Sequence, residues 1–342
     1  MPIAHDLSKG RILVTGGAGF IGSALIWALN RRGLDQILVA DFLGEDEKWK
    51  NLSPLRFGDY LEADELIDRV EDDCPTLASI KTVFHLGACS STTEKNAAYL
   101  IDNNYNYTKI LADWALRRGA RFVYASSAAT YGDGRRGMDD RDESKLGALR
   151  PLNMYGYSKH LFDLHAQRRK ILHRITGLKY FNVFGPNESH KGDMRSLVHK
   201  AYGQIVATGR VQLFKSYRPD YRDGEQQRDF LYVKDAVAMT LALAENPAAT
   251  GLFNVGSGVA STWLQLTDAI FKALGKPPEV EFIEMPEILR GKYQYFTQAD
   301  VAKMRGAAPG LPAVSPLAES VADYVTHYLA TGEYLGDETA AK

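Results

Sequence analysis

Tyr155 and Lys159 stand four residues apart in Asn153-Met154-Tyr155-Gly156-Tyr157-Ser158-Lys159. On a helix that spacing puts both on one face, with the ammonium about one turn from the phenol. A phenol ionises near pH ~10, and a neighbouring cation favours the phenolate, which makes Tyr155 a usable acid/base near neutrality. Ser127, at the end of an apolar run, could set a hydroxyl against the same substrate oxygen. Alone, a Tyr-x-x-x-Lys pair also fits a surface lysine beside a half-buried tyrosine, so the chemistry depends on what else converges there.

The second chemical group is glycine. Thr15-Gly16-Gly17-Ala18-Gly19-Phe20-Ile21-Gly22 follows the apolar Ile12-Leu13-Val14 and precedes a helix-like stretch, 23–32. A strand, a glycine-rich turn and a helix in that order form a dinucleotide cradle, because glycines at 17, 19 and 22 let backbone approach a pyrophosphate at the helix N-terminus. Asp41 ends the next apolar run, about 20 residues on, where a carboxylate reaches the adenosine ribose. An oxidised nicotinamide held there would add a second positive charge favouring the Tyr155 phenolate.

These groups need a scaffold. Strand-like runs at 11–16, 36–41, 55–59, 82–86 and 122–126 alternate with helical stretches at 23–32, 64–72 and 97–118. That alternation predicts an α/β fold with a doubly wound parallel sheet, whose ligands sit at the carboxyl ends of the strands. The charged, glycine-rich 133–149 reads as a surface loop, and Leu161, Leu164 and Ile171 mark an amphipathic helix after Tyr155. Another strand is expected at 178–184, an insertion at 187–228, and returns to the sheet at 230–233 and 251–256. The tail predicts a helix from Ser261, an extended run at 280–283 and a last helix near 317–328. The expected domains are 1–181 plus 229–258 for the dinucleotide and 182–228 plus 259–342 for the substrate.

Composition narrows the function classes. The 342 residues are 45% hydrophobic and 24% charged, as in folded globular proteins. A net charge of −1 gives no general attraction to nucleic acid or an anionic membrane. Two cysteines, Cys74 and Cys89, make no disulfide framework; no apolar run approaches a bilayer span; and Met1-Pro2-Ile3-Ala4-His5-Asp6 lacks the form of a signal peptide. A cytoplasmic location is expected. The eight histidines show no metal-ligand spacing, so no metal is expected. Between 190 and 228, however, eight basic residues (Lys191, Arg195, Lys200, Arg210, Lys215, Arg218, Arg222, Arg228) face four acidic ones. Such a cluster suits a diphosphate, and it also fits a mixed, solvated loop.

The glycine-rich start, Asp41, Ser127 and Tyr155/Lys159 resemble the extended short-chain dehydrogenase/reductase superfamily over essentially the whole chain. Within it, Gly87-Ala88-Cys89-Ser90-Ser91-Thr92-Thr93-Glu94, the 153–159 run and the 180–192 run ending His190-Lys191-Gly192 resemble the ADP-L-glycero-D-manno-heptose 6-epimerase family. UDP-hexose epimerases share the glycines and the Tyr/Lys pair, but not the Cys-Ser-Ser-Thr-Thr-Glu or His-Lys-Gly runs.

The resemblance implies a Rossmann-type sheet with a smaller α/β substrate-binding domain. It also implies a homo-oligomer and inversion of C6″ of an ADP-heptose by transient oxidation and reduction with NADP, in lipopolysaccharide core biosynthesis. Tyr155 and Lys191 become the two acid/base groups, supported by Ser127 and Lys159. Gly16, Gly19, Phe20, Ile21, Gly22, Asp41, Phe42, Lys48, Leu86, Gly87, Ala88, Cys89, Ser90, Asn103, Lys159, Val183 and Lys191 fall on cofactor positions. Asn182, Asp193, Lys200, Phe214, Arg228 and Tyr293 fall on substrate positions.

The chain departs from the family at Asp193 (usually serine), Lys200 (usually histidine), Phe42 (usually asparagine) and in a longer loop over 215–227. Asp41 favours NAD, whereas a lysine at position 48 supplies charge for NADP. A UDP-hexose 4-epimerase or a sugar-nucleotide dehydratase is the alternative enzyme, and a non-catalytic dinucleotide sensor the alternative class.

Overall fold

The computed structural model describes residues 3–291 and 293–337. The first six strands are short, and most are apolar: β1 (Arg11–Thr15), β2 (Ile37–Asp41), the more polar β3 (Asp59–Glu62), β4 (Ile80–His85), β5 (Arg121–Ser127) and β6 (Thr176–Tyr180). Beyond them lie β7 (Asn182–Phe184), β8 (Val211–Phe214), β9 (Gln227–Tyr232), β10 (Gly251–Val255), β11 (Ala260–Thr262) and β12 (Val280–Ile283). Seven strands form one parallel sheet in the order β10-β6-β5-β4-β1-β2-β3. Strand order reverses between β1 and β4, which opens a crevice at their carboxyl ends.

Both faces are covered. Ile12 and Val14 pack into one core cluster, with Ala24 and Leu25 of the helix Phe20–Asn30 and Val237 of the helix Val233–Glu245. Leu13 packs into the other, with Leu111 of the helix Tyr107–Arg117 and Phe162 of the helix Met154–Arg168. Successive strand residues point to opposite faces, so a sheet buried on both needs unbroken apolar runs.

Several elements differ from the sequence expectations. The 230–233 run does not return to the main sheet: β9 pairs in parallel with β7 and antiparallel with β11, forming a separate three-stranded sheet. Buried Asp229 holds it there, because its carboxylate accepts from the backbone N–H groups of Ser257 (2.6 Å), Gly258 (2.9 Å) and Ala299 (2.9 Å). The expected strand at 178–184 breaks at Phe181, whose N–H bonds to the carbonyl of Val255 while β7 turns toward β9.

The strand expected at 55–59 begins at Asp59 instead, and the helix expected over 97–118 is interrupted by a π turn, Ile101–Asn106. The insertion is itself ordered, with the turn Ser189–Met194, the helix Leu197–Thr208 and β8, which pairs with β12. Among the described residues no helix is long and apolar enough to cross a membrane.

Candidate active site

The glycine-rich turn leaves β1 with Gly16 at φ +67°, and a Cβ there would lie 2.6 Å from the backbone nitrogen of Gly87. At Gly22 it would lie 2.0 Å from the carbonyl oxygen of Gly16. Side chains are therefore excluded at Gly16 and Gly22, which keeps the turn close to the backbone that a ligand would meet. The helix Phe20–Asn30 starts at Gly19 with no side-chain cap, which suits a phosphate at its first turn.

Asp41 ends β2 beside the turn. Its carboxylate accepts from the N–H groups of Ala18 (2.9 Å) and Phe42 (2.8 Å) and pairs with the Lys48 ammonium at 3.1 Å. Leu86, Gly87, Ala88 and Cys89 continue from β4 along the same sheet edge, half-buried, with Ser90 exposed. This cradle fits a dinucleotide.

Tyr155 opens the helix Met154–Arg168, which is capped by Asn153 accepting from the N–H of Gly156 at 2.8 Å. A Cβ on Gly156 would come within 2.8 Å of the carbonyl oxygen of Ala129, so glycine allows the helix to press against the turn after β5. The hydroxyl of Ser127 thereby lies close enough to the phenol of Tyr155 to favour its ionised form. Lys159 is buried and donates to the carbonyl of Ala125 at 2.9 Å.

Burial lowers the Lys159 ammonium to about 8, with the charge of Asp163 opposing that shift. Tyr155 moves upward from the ordinary phenol value because burial outweighs the Ser127 hydrogen bond. The Lys159 ammonium is directed to a backbone carbonyl. In this environment Tyr155 holds its proton.

Asn104, which the sequence reading passed over in favour of its neighbour Asn103, ties the site together. It lies on the π turn, fully buried; its carbonyl accepts from the Cys89 N–H (2.8 Å) and its amide donates to the Cys89 carbonyl (3.0 Å) and Ser158 Oγ (2.9 Å). Half-buried Asn103 donates to the Tyr99 hydroxyl at 3.1 Å. A π turn re-aims one residue of a helix, and sequence periodicity carries no mark of it.

Lys191 lies in the turn Ser189–Met194, with its ammonium 5.0 Å from the centroid of the Phe20 ring. Burial lowers its basicity and Glu188 opposes that. It lines a cavity of about 740 Å³ shared by Asn182, Val183, Asp193, Lys200, Phe214, Arg228 and Tyr293. Asn153 and Ala129, each two residues from Tyr155 and Ser127 respectively, line it as well, whereas Tyr155, Ser127 and Lys159 do not.

Arg228 is buried, and no acidic side chain among the described residues pairs with it. It donates to the carbonyls of Gln227 (2.8 Å) and Gln294, between the rings of Trp263 (5.6 Å) and Tyr293 (5.2 Å). Trp263, also missed by the sequence reading, donates to the Tyr293 hydroxyl at 2.8 Å. A buried cation without an anion is costly, and burial lowers the basicity of Arg228. An anionic ligand would offset that cost.

The rest of the basic cluster divides. Arg210, Lys215 and Arg218 pair with Glu279, Glu284 and Asp220 respectively and do not line the cavity.

A doubly wound sheet, a glycine cradle and a serine, tyrosine and lysine grouped at its edge define a dinucleotide-dependent enzyme class. The chain belongs to the NAD dependent epimerase/dehydratase family, whose profile matches residues 12–256. It is 51% identical over 323 residues to the ADP-L-glycero-D-manno-heptose-6-epimerase of Nitratidesulfovibrio vulgaris, covering 94% of this chain and 98% of that one.

Among solved structures, the ADP-L-glycero-D-manno-heptose-6-epimerase of Helicobacter pylori superposes with a TM-score of 0.79 at 28% identity, covering 95% of this chain and 97% of that one. The UDP-glucose 4-epimerase of Thermus thermophilus, in complex with NAD, gives 0.71 at 25% identity, covering 93% and 99%. The cofactor is a nicotinamide dinucleotide and the substrate a nucleotide sugar.

Proposed function

We propose that the protein interconverts ADP-D-glycero-β-D-manno-heptose and ADP-L-glycero-β-D-manno-heptose by inverting C6″, the activity after which its curated relatives are named. Inversion through a ketone requires the C–H hydride to leave one face of the carbon and return to the other, while the hydroxyl proton leaves and returns. The bound dinucleotide supplies a hydride acceptor and donor. Tyr155 and Lys191 exchange the hydroxyl proton, one for each orientation of the C6″ oxygen, and Ser127 hydrogen-bonds the same oxygen. Lys159 carries positive charge to the tyrosine side of the site.

The observation that carries this reading is Lys191: a half-buried ammonium against Phe20 of the glycine-rich turn, in the wall of the cavity that also holds Arg228. Arg228 takes the diphosphate, and Asn182, Asp193, Lys200, Phe214 and Tyr293 contact the sugar and the rest of the nucleotide. NADP is the dinucleotide assigned, with Lys48 facing the 2′-phosphate.

Asp41 supports the second reading, NAD. A carboxylate at the end of β2 bonds a ribose 2′-hydroxyl, and here it already neutralises Lys48. Titrating the protein with each dinucleotide decides between them; a clear preference for NAD overturns NADP. A homo-oligomer in the cytoplasm belongs to the same reading, and light scattering measures the assembly. Incubation with ADP-D-glycero-D-manno-heptose, followed by NMR of the C6″ epimers, tests the activity. Turnover of UDP-hexoses alone would overturn it.

A further inference from the structure

The turn that carries Lys48 also carries a buried asparagine that neither the sequence reading nor the proposed mechanism uses. Asn51 closes the turn Glu47–Asn51 and is 1% exposed. Its amide donates to the carbonyl oxygens of Ala18 (2.9 Å) and Asn187 (3.1 Å), with Nδ1 of His190 at 3.2 Å. An amide nitrogen has two hydrogens, so three acceptors share them. Burial holds His190 neutral, near 4, which leaves a ring nitrogen free to accept.

Ala18 lies inside the glycine-rich turn, and its N–H goes to Asp41, which pairs with Lys48. One turn of chain therefore grips the cradle on both sides of a single residue. The same amide nitrogen also grips the segment that presents Lys191.

That segment is held as a unit. Asn187 is buried at φ +73°, donates to Ser23 Oγ (3.0 Å) and accepts from the N–H of Leu335 (3.0 Å). The N–H of Lys191 bonds to the carbonyl of Glu188 at 3.1 Å. One buried amide therefore links the Ala18 peptide, where a pyrophosphate would settle, to the backbone at Asn187 and the ring of His190, next to Lys191. We propose that Asn51 is a positioning residue that makes the placement of Lys191 depend on the filled dinucleotide cradle. The inference rests on the reading of Lys191 as the second acid/base.

Two measurements on the full chain test it. The first is hydrogen exchange of residues 188–194 with and without saturating NADP or NAD. Dinucleotide slows exchange in the wild type, and in Asn51→Ala, still saturated, that slowing falls to less than about 2-fold. Equal slowing in both overturns the coupling. Asn51→Asp, which keeps the side-chain volume but lacks the donor, replaces Asn51→Ala if the smaller residue does not fold.

The second is single-turnover formation of reduced nicotinamide, followed by absorbance, with each heptose epimer. Lys191→Met identifies the epimer that depends on Lys191, and Asn51→Ala slows that epimer by about 10-fold while changing the other by less than about 3-fold. A uniform effect in Asn51→Ala beside an asymmetric one in Lys191→Met overturns the coupling alone. A uniform effect in Lys191→Met overturns the two-base reading, and this inference with it.

Discussion

Lys159, one helical turn beyond Tyr155, gives its ammonium to the carbonyl oxygen of Ala125 at 2.9 Å. Burial holds this lysine at about 8, against an ordinary 10.5. Between those values the unfolded chain binds more protons than the folded one, so this group makes stability rise as pH increases from about 8 to 10.5. Lys159→Met should flatten that rise, measured as urea midpoints across the window. Turnover that needs the ammonium should fall above about 8 in the wild type.

Tyr155 is raised by burial, which outweighs the opposing pull of Ser127, so it starts as a proton donor. Tyr155→Phe should lower kcat by at least about 10²-fold, the scale for loss of a general acid/base, while dinucleotide affinity stays nearly unchanged. Full activity in that variant would remove Tyr155 from the mechanism.

Arg228 is a buried guanidinium with two aromatic rings beside it and no acidic partner among the described residues. Charge-assisted hydrogen bonds contribute about 1.5–3 kcal/mol, so Arg228→Met should raise the sugar-nucleotide KM by roughly 10- to 150-fold. The ligand-free variant should melt no lower than the wild type, because an uncompensated buried cation has been removed. Calorimetry with and without the sugar nucleotide reads both effects.

Behind the catalytic helix, Asp163 and Lys179 form an ion pair at 2.6 Å with almost no exposure. Tyr124 and Ser126 donate to the same carboxylate, and Lys179 also donates to Thr130. Lys179→Met strands a buried carboxylate and should cost about 3–5 kcal/mol by denaturant unfolding. The double variant Asp163→Leu/Lys179→Met should recover a large part of that loss. A single variant as stable as the wild type would show that the pair is not what holds β5, β6 and this helix together.

Much of this protein follows from local pattern. Apolar runs separated by helical periodicity predict a doubly wound sheet, because a strand buried on both faces has no polar position to spare. Glycines 16 to 22 mark the cradle, because backbone cannot close that turn around a Cβ. A spacing of four puts Tyr155 and Lys159 on one helical face.

Tertiary structure decided the rest. The four apolar residues 230–233 do not say which sheet they join; Asp229, bonded to 257, 258 and 299, does. Whether a basic residue between 190 and 228 faces a ligand or a neighbouring carboxylate depends on partners such as Glu279 and Glu284, far along the chain. Asn51 meets Ala18 and Asn187 across 33 and 136 residues. Buried amides of this kind have no periodicity of their own, because the groups that satisfy them are brought together only by the folded chain.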